Sequence, residues 1–105
     1  MPGYVCLVSR VHAVELHDLD ESQVALFVLD MRDVSRAVST VTAAVKMNYE
    51  IHGNTLPHLH VHFFPRYVGD QFEGAPVDPR RSVQPIYGSD DYLELRNRIL
   101  SALPA

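Results

Sequence analysis

Cysteine is almost missing from this chain. With Cys6 alone there can be no intrachain disulfide, and a reducing, cytoplasmic location is the expectation. Positive charge is scarce as well. Nine Lys and Arg stand against thirteen Asp and Glu, a formal net charge of −4. That balance argues against a nucleic-acid partner, whose binder is normally basic, but leaves room for a small phosphate site. No apolar run approaches the roughly 20 residues that cross a bilayer, so no membrane partner is expected. Met1-Pro2-Gly3-Tyr4 lacks the basic and then apolar pattern of a signal peptide. Repeats, low-complexity tracts and interdomain linkers are absent from the sequence too. What is present is 105 residues, 47% hydrophobic and 21% charged. That is the length of one domain, 1–105, able to bury a core without metal or disulfide staples.

Tyr4 to Ser9 is rich in β-formers and apolar on both faces, which predicts a strand after the turn chemistry of Pro2-Gly3. Residues 10–17 are a connection. Asp18, with Glu21 three residues on, predicts a helix start through a capping box. Val24, Phe27, Val28, Met31, Val34, Val38, Val41 and Val45 then recur in steps of three and four. They predict one apolar stripe on a helix of about 27 residues, roughly 40 Å long. Most of that stripe should pack on a sheet; part of it could meet a second copy of the chain. Lys46 to Ile51 reads as a second strand, ending at the turn signal His52-Gly53-Asn54. It should pair antiparallel with the strand that follows Pro57 and is closed by Pro65. Residues 66–88 carry three glycines and three prolines and read as a long loop. Asp90 or Asp91 should cap a last helix, 90–103, with Tyr92, Leu95 and Ile99 on one face.

The chemistry concentrates in His58-Leu59-His60-Val61-His62-Phe63-Phe64, which holds three of the six histidines. On a strand, side chains alternate between faces. His58, His60 and His62 would share one face, while Leu59, Val61 and Phe63 take the other. Zinc is one possibility, but residues i and i+4 of a strand lie about 13 Å apart, so all three cannot bind one ion. A two-histidine site would need His52, Glu50 or Asp70 as a third ligand. Phosphoryl chemistry with a histidine nucleophile is the stronger reading: one imidazole attacks phosphorus while its neighbours and backbone N–H groups bind the oxygens. Two positive imidazoles about 6.6 Å apart repel by about 2.5 kcal/mol at an effective dielectric of about 20. The middle ring has two such neighbours, which predicts that His60 is the most easily neutralised and hence the nucleophile. A plain polar sheet face that happens to carry histidines is the bland alternative.

At every position that heptad matches the His-φ-His-φ-His-φ-φ signature of the histidine triad (HIT) superfamily, where φ is apolar. Asn48-Tyr49-Glu50, Gly53-Asn54, Pro57 and Pro65-Arg66 resemble bacterial and archaeal members. Gly3 to His12 is similar to the family strand Gly-φ-φ-φ-φ-Pro-Lys-x-His, with Ser9-Arg10 in place of Pro-Lys and Tyr4 where some members have histidine. Many members carry several tens of residues before this strand, so the chain resembles a HIT protein with a short N-terminus. The resemblance implies an α+β fold, an antiparallel sheet with a long helix packed on it, and usually a homodimer. It implies a nucleotide hydrolase or nucleotidyl transferase acting at the α-phosphate of a nucleoside phosphoramidate or dinucleoside polyphosphate. Within it His60 is the nucleophile, His58 and His62 flank it, and Asn54, Thr55 and, at a less constant position, Asn48 bind phosphate. No metal or other cofactor is implied. The rivals are a nucleotide-binding or sensor module without turnover, and a histidine-based metal binder.

Elsewhere the expectations are structural. His12 matches a family histidine but reads as structural, His17 as solvated, and His52 as a turn residue within possible reach of substrate. Cys6 reads as a small core residue, Arg66 as a strand-end residue or a phosphate contact, and Arg80-Arg81 as a solvated pair. Tyr87 and Tyr92 read as packing residues.

Overall fold

The computed structural model describes residues 3–78, 80–81 and 89–104. Strand β1 (Val5–Val8), helix α1 (Glu21–Thr42), strands β2 (Lys46–Glu50) and β3 (His60–Arg66), and helix α2 (Ser89–Ala102) follow in that order. The strands form an antiparallel sheet in the order β1-β3-β2, so the histidine strand is central. This is the α+β arrangement that the sequence predicts. Tyr87 lies outside the described residues, as does most of the expected loop beyond 78.

Register decides the two faces. Leu7 pairs with Val61, and Val5 and Tyr49 pair with Phe63. Leu59, Val61 and Phe63 are buried together with Met47, Phe27 and Val38. On α1 the core contacts come from Val24, Phe27, Met31, Val34 and Val38. Val28 and Val45 of the expected stripe are exposed instead, as are Leu26 and Leu29. The stripe is shorter than predicted because the helix stops at 22 residues. Ala43 turns into the left-handed region (φ 56°, ψ 31°) and donates its N–H to Ser39 O at 2.9 Å. An L-residue there is strained by about 1–2 kcal/mol, part of which glycine's larger unfolded-state entropy offsets. Ala43→Gly is therefore expected to stabilise the protein by about 0.5–1 kcal/mol, read from urea unfolding.

The start of α1 also differs. Its N-cap is Asp20, whose carboxylate accepts from Gln23 N at 2.8 Å while Gln23 Oε1 accepts from Asp20 N at 2.9 Å. Asp18 instead accepts from Val14 N and Glu15 N and holds a 3-10 turn at Leu16–Asp18. Leu19 is the physical reason: it is buried in the core from an extended backbone, so the helix cannot begin before it.

Pro65 does not close β3; it is inside the strand, opposite Met47. Arg66 O accepts from Val45 N on the β2 side, so the alternation of an antiparallel strand turns Pro65 toward the β1 side. The last β1 pair there is Val5 with Phe63, so no β1 partner loses a bond to the missing N–H. Gly3 takes the space left beyond that pair. Its φ is +85°, and a Cβ would fall 2.5 Å from Thr42 Cγ2 and 3.3 Å from Pro65 Cγ.

The segment after β3 is less loose than its glycines and prolines suggest. Arg66 is buried, and its guanidinium makes five hydrogen bonds: two to the Asp70 carboxylate (3.0 and 3.1 Å) and one each to Asn48 Oδ1 (2.6 Å), Phe72 O (2.6 Å) and Ala75 O (2.8 Å). Phe72 and Val77 in the same segment are buried. Arg66 is thus a structural anchor rather than a phosphate contact. At the other end, α2 starts at Ser89, which places Asp90 and Asp91 inside its first turn rather than at the cap. Ile99 packs against the core, while Tyr92 is exposed.

Candidate active site on the histidine face

The face of the sheet away from the core carries His60 and His62, joined by Cys6 and Val8 across β1 and by Glu50 across β2. Cys6 is exposed and stands directly opposite His62, not in the core as expected. An apolar pattern on both faces of a short strand does not say which face is inside; the register does.

His58 is not on β3. The ladder ends at His60, because residues 9–13 fold over Leu59, with Ser9 N donating to Leu59 O and Leu59 N to Ala13 O. A three-residue turn around Pro57, with His58 N bonded to Leu56 O at 2.9 Å, redirects the backbone. The His58 ring lies 5.7 Å from that of His12, and its Nε2 bonds Ser9 O at 2.7 Å. His12 itself is exposed.

Carbonyl partners fix the donor nitrogens of His60 and His58. A carbonyl oxygen only accepts, so His60 Nδ1, 2.6 Å from His58 O, carries the proton. In the neutral ring Nε2 then holds the lone pair, the arrangement a nucleophile needs. By the same logic His58 donates through Nε2. His62 sits 4.9 Å from His60, ring centre to ring centre, in an edge-on arrangement. Its Nδ1 is 2.6 Å from the hydroxyl of Tyr4, which in turn stacks on Phe64 at 4.9 Å. Burial holds the pKa of His62 below the usual histidine value, helped by the nearby His60 and His52 and opposed by Glu50. Burial likewise raises the Tyr4 phenol, with smaller contributions from Cys6 and Glu50. At neutral pH the phenol is protonated and His62 is neutral. A hydroxyl both donates and accepts, so Tyr4 occupies Nδ1 of His62 without dictating which of the two atoms carries the hydrogen. Replacing Tyr4 with phenylalanine should remove this hydrogen bond, worth roughly 1 kcal/mol. The nitrogen-15 shift of His62 Nδ1 is expected to move in Tyr4→Phe, where that hydrogen bond is lost.

The row of imidazoles thus turns a corner. The expectation of three rings evenly spaced along one strand gives way to His60, His62 and then His52, whose ring is 6.0 Å from His62. The ring with neighbours on both sides is His62, not His60. Of the other expected site residues, Asn54 and Thr55 are exposed in the connection 51–59, after the positive-φ turn at Gly53. Asn48 shares the histidine face, but its side-chain oxygen is bonded to Arg66. Tyr4, Glu50 and His52 were not singled out by sequence as a group; only the hairpin register brings Glu50 opposite His62. Among the described residues, no three His, Cys, Asp or Glu side chains converge as a metal shell requires, and no helix is long and apolar enough to cross a membrane.

Comparison with known proteins adds the family. The family model described as HIT domain matches residues 1–69. The chain belongs to the HIT family. Over 82 residues this HIT chain is 31% identical to the asymmetrical bis(5'-nucleosyl)-tetraphosphatase of Schizosaccharomyces pombe. The match covers 73% of this chain and 45% of that protein, so the HIT chain spans under half the length of this curated relative. A crystal structure of a histidine triad protein from Sinorhizobium meliloti 1021 is 26% identical, with a TM-score of 0.84 over 95% of this chain and 74% of that one. For a histidine triad protein from Bradyrhizobium japonicum the values are 37%, 0.75, 94% and 72%.

Proposed function

We propose that this HIT chain cleaves nucleotides at the α-phosphate through a covalent intermediate on His60, with a dinucleoside polyphosphate or nucleoside phosphoramidate as substrate. The observation that carries this reading is the bond from His60 Nδ1 to His58 O at 2.6 Å, which aims a lone-pair Nε2 at the open face beside His62. The tetraphosphatase relative supports the substrate class.

In the first step the His60 Nε2 lone pair forms a bond to the α-phosphorus, and the bond from phosphorus to the leaving group breaks. A polyphosphate departs as an anion with its electron pair; an amine takes a proton from water. His62 Nε2–H donates a hydrogen bond to the phosphoryl oxygens, which gain charge in the transition state. In the second step water or another acceptor oxygen attacks the same phosphorus, and the electron pair of the P–N bond returns to Nε2. Asn54 and Thr55, on the exposed connection, are the side chains proposed to meet phosphate from the other side; His58 orients His60 through its carbonyl. A homodimer fits the exposed Leu26, Val28 and Leu29 on α1.

Incubation with a labelled dinucleoside tetraphosphate and a labelled nucleoside phosphoramidate tests the reading. Turnover, with a nucleotidyl adduct detected by intact mass, is expected. Binding without turnover or adduct would favour instead a nucleotide-binding module.

A further inference from the structure

We propose that Glu50 and His52 form a carboxylate–imidazole base that activates water for the second step, a role that rests on the covalent mechanism above. Three observations meet at this pair. Glu50 is the cross-strand partner of His62, so its carboxylate stands on the phosphate-facing side of the sheet. A free carboxylate there would repel a polyanion, but Glu50 Oε1 is held 3.0 Å from His52 Nε2. The His52 side chain is 56% exposed, so its ring is not a packing element.

The bond to Glu50 also selects the tautomer. A carboxylate accepts, so Nε2 carries the hydrogen, and in the neutral ring Nδ1 is left with the lone pair. An imidazole oriented through one nitrogen by a carboxylate, with a lone pair on the other, can act as a general base. The groups facing it are Glu50 at the end of its own strand and His62 on β3, 6.0 Å away ring to ring, with His60 4.9 Å beyond His62. Neither neighbour can take this part. The His60 Nε2 is occupied by the nucleotide in the intermediate, and His62 has its Nδ1 taken by Tyr4 and its Nε2 assigned above to the phosphoryl oxygens.

The balance is simple. A water molecule gives a proton to His52 Nδ1 as its oxygen bonds to phosphorus. The P–Nε2 bond of the adduct breaks and its electron pair returns to His60, which is again neutral with Nδ1–H on His58 O. The nucleoside monophosphate leaves, and His52 returns its proton to solvent.

Single-turnover kinetics of His52→Gln and Glu50→Gln separate the two steps, with a labelled dinucleoside tetraphosphate as probe. In His52→Gln, adduct formation should stay within about twofold of the native rate, while breakdown slows about 100-fold, so the adduct accumulates. Native breakdown should rise with pH as a single base loses its proton, and His52→Gln should lack that limb. Glu50→Gln should slow breakdown about tenfold. An adduct that forms and breaks down at native rates in His52→Gln, or formation and breakdown falling together, would overturn the assignment of the base alone. A native protein that forms no adduct would overturn the covalent mechanism and this role with it.

Discussion

His60→Ala is expected to lose the covalent adduct completely and to lower turnover by at least about 10⁴-fold, because neither His58 nor His62 can replace the attacking nitrogen. The geometry makes the expectation sharp. His58 is turned away, with its ring toward His12 and its Nε2 spent on Ser9 O. His62 has its Nδ1 taken by Tyr4, and its Nε2 is the proposed contact to the phosphoryl oxygens. Nucleotide affinity, by contrast, should change by less than about tenfold. The phosphate contacts proposed for His62, Asn54 and Thr55 remain, and truncating one ring removes at most one hydrogen bond from the ground state. Rapid-quench assays and equilibrium titration with a dinucleoside tetraphosphate read the two quantities separately. Residual adduct in His60→Ala would mean that another residue is the nucleophile.

The second large effect lies away from the chemistry. Arg66→Met is expected to destabilise the protein by about 3–5 kcal/mol, the cost of leaving a buried carboxylate without its cation. The Asp70 side chain is as buried as that of Arg66, and Asn48 Oδ1, Phe72 O and Ala75 O would lose their donor as well. The two hydrogen bonds from Arg66, with backbone N–H bonds from Tyr67 and Phe72, hold the Asp70 carboxyl far below the usual carboxylate range. The sign follows directly. The folded pKa lies below the unfolded value of about 3.9, so the stabilisation is fully present above that value and fades as pH falls through the window beneath it. Urea unfolding of the native protein should therefore weaken between about pH 4 and pH 2, and Arg66→Met should show a smaller loss across that window. Equal pH dependence in the two proteins would show that the ion pair contributes no net stability.

Much of the fold follows from local pattern. The alternation Leu59, Val61, Phe63 named the buried face of the central strand, and all three are buried. The steps of three and four in residues 24–38 named the helix that covers it. The ends of elements were less legible. Asp18 and Asp20 are equally good caps by composition, and only the burial of Leu19 selects the second. Pro65 looked like a strand terminator because sequence does not tell which neighbour a missing N–H faces. Arg66 carried a signal no stronger than any strand-end arginine, yet it organises the chain through residue 75.

Alone, the sequence determined that imidazoles would line one side of a strand and hydrocarbon the other, since the alternation of side chains is a consequence of backbone geometry. It also determined the family, because the heptad needs no neighbours to be read. Which imidazoles lie together was a matter for the tertiary structure. His58 leaves the row because residues 9–13 close over Leu59, and His52 joins it because the β2–β3 register sets Glu50 against His62. Such contacts join residues whose separation along the chain varies with loop closure and register, and those depend on the whole packed sheet rather than on any local run of residues.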